Sequence, residues 1–190
     1  HDIFGDSSAV ATYLFDDDIT DEGGTYDGTT SNVTFVDGVV GTKAGVFNGT
    51  NSKWVAGTHL FGANATASNI SVSGWFQVSS DSQYLIADGF LGTGGKYFAI
   101  NTSGGKLVAG TGDASGGNNI GITSSTSVTD GEWHHFAFTK SVSSGTATGK
   151  LWVDGYYEGS DTTTSTGNYP NETAFGHRVD ANGYYSCTLD

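Results

Sequence analysis

The sequence has no methionine, one proline, one cysteine and only seven basic side chains among 190 residues. A lone cysteine, Cys187, cannot form an internal disulfide, so the fold must rest on packing or on a bound ion, and redox logic does not fix the compartment. Six lysines and one arginine stand against 20 acidic residues, a formal charge of −13, and the basic residues nowhere cluster. Nucleic-acid binding depends on neutralising phosphates, so no nucleic-acid partner is expected. No apolar run approaches the ~18 residues that span a bilayer, and no basic-plus-apolar leader is present, so no membrane insertion is expected. With His1 in place of an initiating Met, the sequence reads as a processed chain or an excised segment. Helical periodicity is nearly absent too, because Gly, Ser and Thr interrupt every stretch long enough to carry a 3.6-residue stripe.

What is present is an aromatic share of 13% and an apolar share of 36%, beside 30 glycines. Disordered chains lack that aromatic load, so this one folds, and its length suits one all-β domain over 1–190. Period-two alternation is common. In 69–78, Ile70, Val72, Phe76 and Val78 fall on one face, with Ser71, Ser73 and Gln77 on the other, the pattern of a half-buried antiparallel strand. Further strands are expected at 9–15, 32–36, 44–47, 53–56, 84–87, 97–101, 106–111, 119–123, 133–140, 150–153, 156–160 and 173–176. Asp154-Gly155 and Gly104-Gly105 read as hairpin turns. Short strands at such spacing predict an antiparallel two-sheet jelly-roll sandwich.

Several landmarks then occur in a recognisable order. They are the segment 9–15 with the acidic loop after it, Gly41-Thr-Lys-Ala44-Gly-Val-Phe47-Asn48-Gly49, Val72-Ser-Gly-Trp75-Phe76, Asp130-Gly-Glu-Trp133-His134-His135, and Leu151-Trp152-Val153-Asp154-Gly155. In this order they resemble the concanavalin A-like, laminin G-like and pentraxin-like jelly-roll domains, and are similar to copies in phage tail proteins and marine bacterial adhesins. One departure stands out. Where the family continues past a segment like 185–190 with Asp-Glu and an apolar strand, this sequence stops. The sandwich is therefore expected to lack its final strand, or to have the sheet edge completed by a neighbouring subunit.

The resemblance implies lectin or glucanase chemistry, and the carboxylates decide between them. Glucanases on this architecture carry a strand like Glu-x-Asp-x-x-Glu, with two carboxylates on one face. The four glutamates here, Glu22, Glu132, Glu158 and Glu172, are not so spaced, and no enzyme is expected. His134 and His135 are adjacent on a strand and point to opposite faces, so they cannot share an ion; one should be packed and the other exposed. Cys187 reads as a small buried hydrophobe.

The acidic loop Asp16-Asp17-Asp18-Ile-Thr-Asp21-Glu22 offers hard oxygen ligands of the kind Ca²⁺ takes. The family pattern implies calcium joining this loop to the last aspartate, with Asp21 and Asp190 as side-chain ligands and backbone carbonyls near Thr25 completing the shell. The pentraxin-like variant instead implies a late Gly-x-x-x-Asp loop, Gly176 to Asp180. Arg178 stands there where that variant carries an acid, and Asp180 would bind an ion or a sugar hydroxyl. Sugar sites pair aromatic faces with polar donors and acceptors. Loop-proximal tyrosines suited to this are Tyr156, Tyr157, Tyr169, Tyr184 and Tyr185. The expected ligand set is Asp180, Tyr184, Tyr157 and Arg178. The expected function is non-catalytic extracellular recognition or adhesion at a cell surface or virion, taking a glycan, cell-surface ligand or peptide end. The alternative is a structural subunit of a virion fibre, decoration or extracellular filament.

Overall fold

A computed structural model describes residues 9–57, 60, 69–89, 97–112, 118–164, 172–178 and 182–190. Among them run the strands β1 (Gly28–Ser31), β2 (Thr34–Asp37), β3 (Lys43–Asn48), β4 (Lys53–Ala56), β5 (Ile70–Gln77), β6 (Tyr84–Gly89), β7 (Tyr97–Ser103) and β8 (Lys106–Gly112). They are followed by β9 (Asn118–Ser127), β10 (Trp133–Ser143), β11 (Thr146–Val153), β12 (Tyr156–Thr163), β13 (Thr173–Phe175), β14 (His177–Arg178), β15 (Gly183–Tyr184) and β16 (Ser186–Leu189). Two seven-stranded antiparallel sheets result, ordered β1-β4-β13-β6-β7-β8-β9 and β12-β11-β10-β5-β16-β3-β2, with β14 and β15 forming a separate ribbon.

Alternation along each strand sends one set of side chains between the sheets. Trp54, Leu85, Phe98, Ile100 and Leu107 from the first sheet meet Phe47, Phe76, Phe136, Phe138 and Leu151 from the second, and almost none of their surface is exposed. The rings of Phe98 and Phe138 bridge the layers at 5.4 Å between centroids. This is a jelly-roll sandwich with one continuous core. The 69–78 alternation holds, since Phe76 and Val78 are buried while Ser71 and Ser73 are exposed.

Both expected hairpins form. Asp154 and Gly155 take φ of 52° and 80° between β11 and β12, and Gly104 and Gly105 take 61° and 77° between β7 and β8. Two positive φ values at consecutive positions are what a type I′ turn demands. Segment 9–15 differs from expectation. It forms only a bridge between Tyr13 and Asp21, because Phe15 (φ 57°) and Asp17 (φ 67°) fold the backbone out of extended geometry. Segment 186–189, read as leading up to a missing strand, is itself β16, and it lies between β3 and β5.

Along one side, the free edges of β9 and β12 face each other. Asp161 Oδ2 accepts the Gly121 N–H at 3.0 Å, and Glu158 accepts the Ser125 N–H at 2.5 Å together with the hydroxyls of Ser125 and Thr126. Carboxylates from one sheet thus occupy amides that the other sheet leaves unpaired at its edge.

Candidate functional site

The motif residues meet in space. Asp130, His134 and Asp154 come from two separate motifs and form one clamp. His134 Nε2 lies 3.1 Å from Asp130 Oδ1, and Nδ1 lies 2.8 Å from Asp154 Oδ2. Asp154 Oδ1 also accepts the His135 N–H at 2.8 Å. His134 faces the core beside Phe76, and His135 turns outward against Trp75. Burial alone would lower the His134 pKa, yet the Asp154 and Asp130 carboxylates outweigh it and hold the ring above its ordinary value.

The sign follows: a pKa raised on folding stabilises the native state below the unfolded value of ~6.5, and that stabilisation is lost as pH rises through the folded pKa. The melting temperature should therefore fall as pH is raised from ~6 to ~8, and His134→Gln should flatten that slope. Parallel slopes for the two proteins would assign the dependence to other groups.

The acidic loop is built around Asp21, which is 4% exposed. Its Oδ1 accepts the N–H groups of Thr12 (3.0 Å) and Gly23 (3.2 Å), and its Oδ2 those of Thr25 and Tyr26, both at 3.1 Å. Burial works against the charge, but these four amides hold the carboxyl below its ordinary pKa. A carboxylate has about four lone-pair positions, and all are met by N–H donors. A cation would face the positive ends of those same dipoles, so the arrangement does not fit calcium at Asp21. Thr25 contributes its backbone N–H to this cradle.

Asp190 serves a different turn, its Oδ2 accepting the N–H groups of Val39 (2.5 Å) and Val40 (2.8 Å). Among the described residues, no three His, Cys, Asp or Glu side chains converge. Asp16, read from the sequence as part of the acidic loop of calcium-type ligands, instead binds the Gly41–Gly49 motif. Its Oδ1 accepts the N–H and hydroxyl of Thr42 (2.7 and 2.8 Å) and the N–H of Lys43 (2.7 Å).

Of the expected ligand set, Arg178 and Tyr184 lie on one short ribbon, but its register turns their side chains to opposite faces. Gly176 (φ 60°) turns the chain from β13 into β14, where any Cβ would lie 2.5 Å from the Phe47 ring. On the ribbon that follows, His177 pairs with Tyr184 and Arg178 with Gly183. Arg178 Cζ lies 5.0 Å from the centroid of Tyr84, within cation–π range. Tyr84 in turn contacts Tyr185 at 4.9 Å, and His177 contacts Tyr184 at 4.9 Å. Burial raises the Tyr97 pKa, with Tyr84 adding to the rise and the Arg178 charge opposing it.

Arg178, Tyr84, Tyr97, Tyr184 and Tyr185 are each partly exposed. The sequence did not single out Tyr84 or Tyr97, because both sit on strands read as framework. Asp180 and Tyr169 lie outside the described residues. Tyr157 belongs elsewhere, on the outer face of the second sheet next to Trp152. None of the glutamates stands in a catalytic pair: Glu158 is engaged with β9, while Glu22, Glu132 and Glu172 are exposed in turns or connecting segments. Cys187 is 4% exposed, and burial pushes its thiol pKa up.

The model of the concanavalin A-like lectin/glucanases superfamily in its laminin G form matches residues 27–190. The chain belongs to this superfamily. Among solved structures, this laminin G-like domain is similar to the binding domain of Paraclostridial Mosquitocidal Protein 1, with a TM-score of 0.72, 18% identity, and coverage of 95% of this chain and 46% of that one. It is also similar to the binding domain of Botulinum Neurotoxin DC in complex with SialylT, with a TM-score of 0.61, 15% identity, and coverage of 90% and 42%. The LG1-3 region of the laminin alpha2 chain matches with a TM-score of 0.50, 20% identity, and coverage of 76% and 30%. The laminin G-like chain spans less than half the length of each of these. No curated protein matches its sequence. At such identities the likeness establishes the fold, and this fold is one that serves widely in binding domains.

Proposed function

We propose that this laminin G-like domain is a non-catalytic, extracellular recognition module that binds carbohydrate through Arg178 and the tyrosines around it. The observation that carries the reading is the stacking of the sequence's only arginine on Tyr84, whose ring in turn meets Tyr185. A guanidinium offers five N–H donors in a fixed fork, and tyrosine faces accept the C–H surfaces of sugar rings. In a chain of charge −13, such a cation is a local exception that a hydroxyl- or carboxylate-bearing sugar would exploit. The solved complex of a structurally similar toxin binding domain with SialylT supports the choice of ligand class. The absence of a paired carboxylate set among the glutamates supports a binding role over hydrolysis.

A glycan array followed by calorimetry tests this reading. The protein should bind a subset of glycans, and Arg178→Ala should weaken that binding by about tenfold or more while leaving the melting temperature nearly unchanged. Equal affinity of wild type and Arg178→Ala would sink the assignment, as would steady release of reducing ends from any bound polysaccharide.

One observation favours the structural-subunit reading: β2 is an edge strand, and Val36, Val39 and Val40 on or beside it are 44%, 42% and 53% exposed. Light scattering separates the two. A monomer that binds glycan fits the recognition module, and a ligand-independent polymer fits the subunit.

A further inference from the structure

The outer face of the second sheet carries a set of features that the Arg178 cluster does not account for. On β5, β10 and β11, the residues Phe76, His134, Phe136, Phe138, Leu151 and Val153 turn inward and are buried. Their neighbours Trp75, Trp133, His135 and Trp152 therefore turn outward, and all are partly exposed. The pairing register sets them close together: Trp75 is opposite His135, Trp152 is opposite Ala137, and Tyr157 is opposite Trp152. Ring centroids are 5.2 Å apart for Trp75 and His135, and 5.7 Å apart for Trp152 and Tyr157.

A bulge between Leu151 and Trp152 produces the last of these pairs. It places Tyr157, 56% exposed, beside Trp152 and frees Glu158 to turn toward β9. The aromatic row thus crosses from β12 to β5, three inter-strand spacings or on the order of 14 Å, the reach of an oligosaccharide.

Charge selects the occupant. The protein carries 20 acidic residues, yet β5, β10, β11 and their neighbour β16 contain no Asp or Glu. The two acids of β12 are both directed to β9 amides. What lies between and beside the rings is Ser71, Ser73, Ala137, Thr139 and Thr148, small groups with hydroxyls at most positions, with Lys150 opposite Thr139 as the one charged side chain that these strands turn outward. A protein interface would draw on continuous apolar area, whereas rings separated by hydroxyls match the alternating C–H faces and hydroxyl rims of a sugar chain.

We infer that this outer face is a second binding site, separate from the Arg178 cluster, for a neutral, extended polysaccharide stacked along Trp75, His135, Trp152 and Tyr157. The test is calorimetry of the whole chain with neutral hexasaccharides (β-1,4-glucan, β-1,3-glucan, α-1,4-glucan and β-1,4-mannan), with hexagalacturonate as the anionic control. At least one neutral probe should bind, and hexagalacturonate should not compete with it. Trp152→Ala and Trp75→Ala should each weaken binding on the order of tenfold, and Trp152→Tyr should retain most of it. Ser73→Arg, an exposed substitution that leaves the core untouched, should also block the row, while Arg178→Ala should have no effect. The inference is overturned if no neutral probe binds, if binding survives both Ser73→Arg and Trp152→Ala, or if it is lost in Arg178→Ala alone. It is equally overturned if light scattering shows a dimer that Trp152→Ala dissolves, since the face would then belong to a second copy.

Discussion

Asp21→Ala should destabilise the domain by about 3 kcal/mol, in calcium and in chelator alike. The substitution strands the amides of Thr12, Gly23, Thr25 and Tyr26. Each buried donor left without a partner costs about 1–3 kcal/mol, and water reaching this partly exposed loop recovers some of that. Asp21→Asn keeps one acceptor oxygen and should fall between.

The pH dependence has the opposite sign to that of His134. A carboxyl whose pKa falls on folding contributes stability above its unfolded value of ~3.9, and that contribution is lost as pH falls through the lower, folded value. Thermal melts of the three proteins with excess calcium and with chelator check both points. A calcium-dependent gain in wild type that disappears in Asp21→Ala would show that the carboxylate serves a cation and not the amides.

Trp54→Ala is expected to cost about 3–5 kcal/mol, the usual range for removing a large buried aromatic. Trp54 is fully buried, stacks on Phe175 at 4.5 Å and 15°, meets Tyr13 edge-on at 4.9 Å, and donates its indole N–H to the Ile19 carbonyl at 2.9 Å. It is therefore the post on which the irregular segment before β1 is hung. Trp54→Phe should cost less, losing the hydrogen bond but keeping most of the volume. Gly28→Ala should mimic part of the damage from the other side, because a Cβ there would lie 2.3 Å from the indole. Chemical denaturation reads all three. A Trp54→Ala protein within ~1 kcal/mol of wild type would mean that the segment before β1 is held by something other than this ring.

What could be read from sequence was what is local. The 69–78 alternation and the Asp154-Gly155 and Gly104-Gly105 turns carry their own period and turn chemistry, so they were visible. β1 was not, because Gly-Thr-Thr-Ser has no apolar face; it is a strand only because Gly28 admits the Trp54 ring and β4 supplies hydrogen bonds. β16 was overlooked because the family resemblance places its closing strand after this segment.

The same limit governs the sites. Arg178 was singled out, but its ring partner Tyr84 arrives from a strand far away in sequence. The acidic loop showed where carboxylates concentrate but not where they point, and Asp21 points at amides. For the outer aromatic row, the periodicity was in the sequence: Trp133 and His135 alternate with His134 and Phe136. That Trp75 and Trp152 flank them required the strand order.

The position of β16 bears on how the domain can be made. The strand lies between β3 and β5, so two halves of one sheet are joined only through residues that come more than a hundred positions after them. Contacts so distant in sequence carry a high loop-closure cost and slow folding. Until 186–189 leaves the ribosome, β3 and β5 present bare edges to any other strand nearby, which makes the half-synthesised chain a client for a chaperone or a seed for aggregation. A nonsense codon shortly before position 186 would therefore leave an open sheet and not a smaller domain.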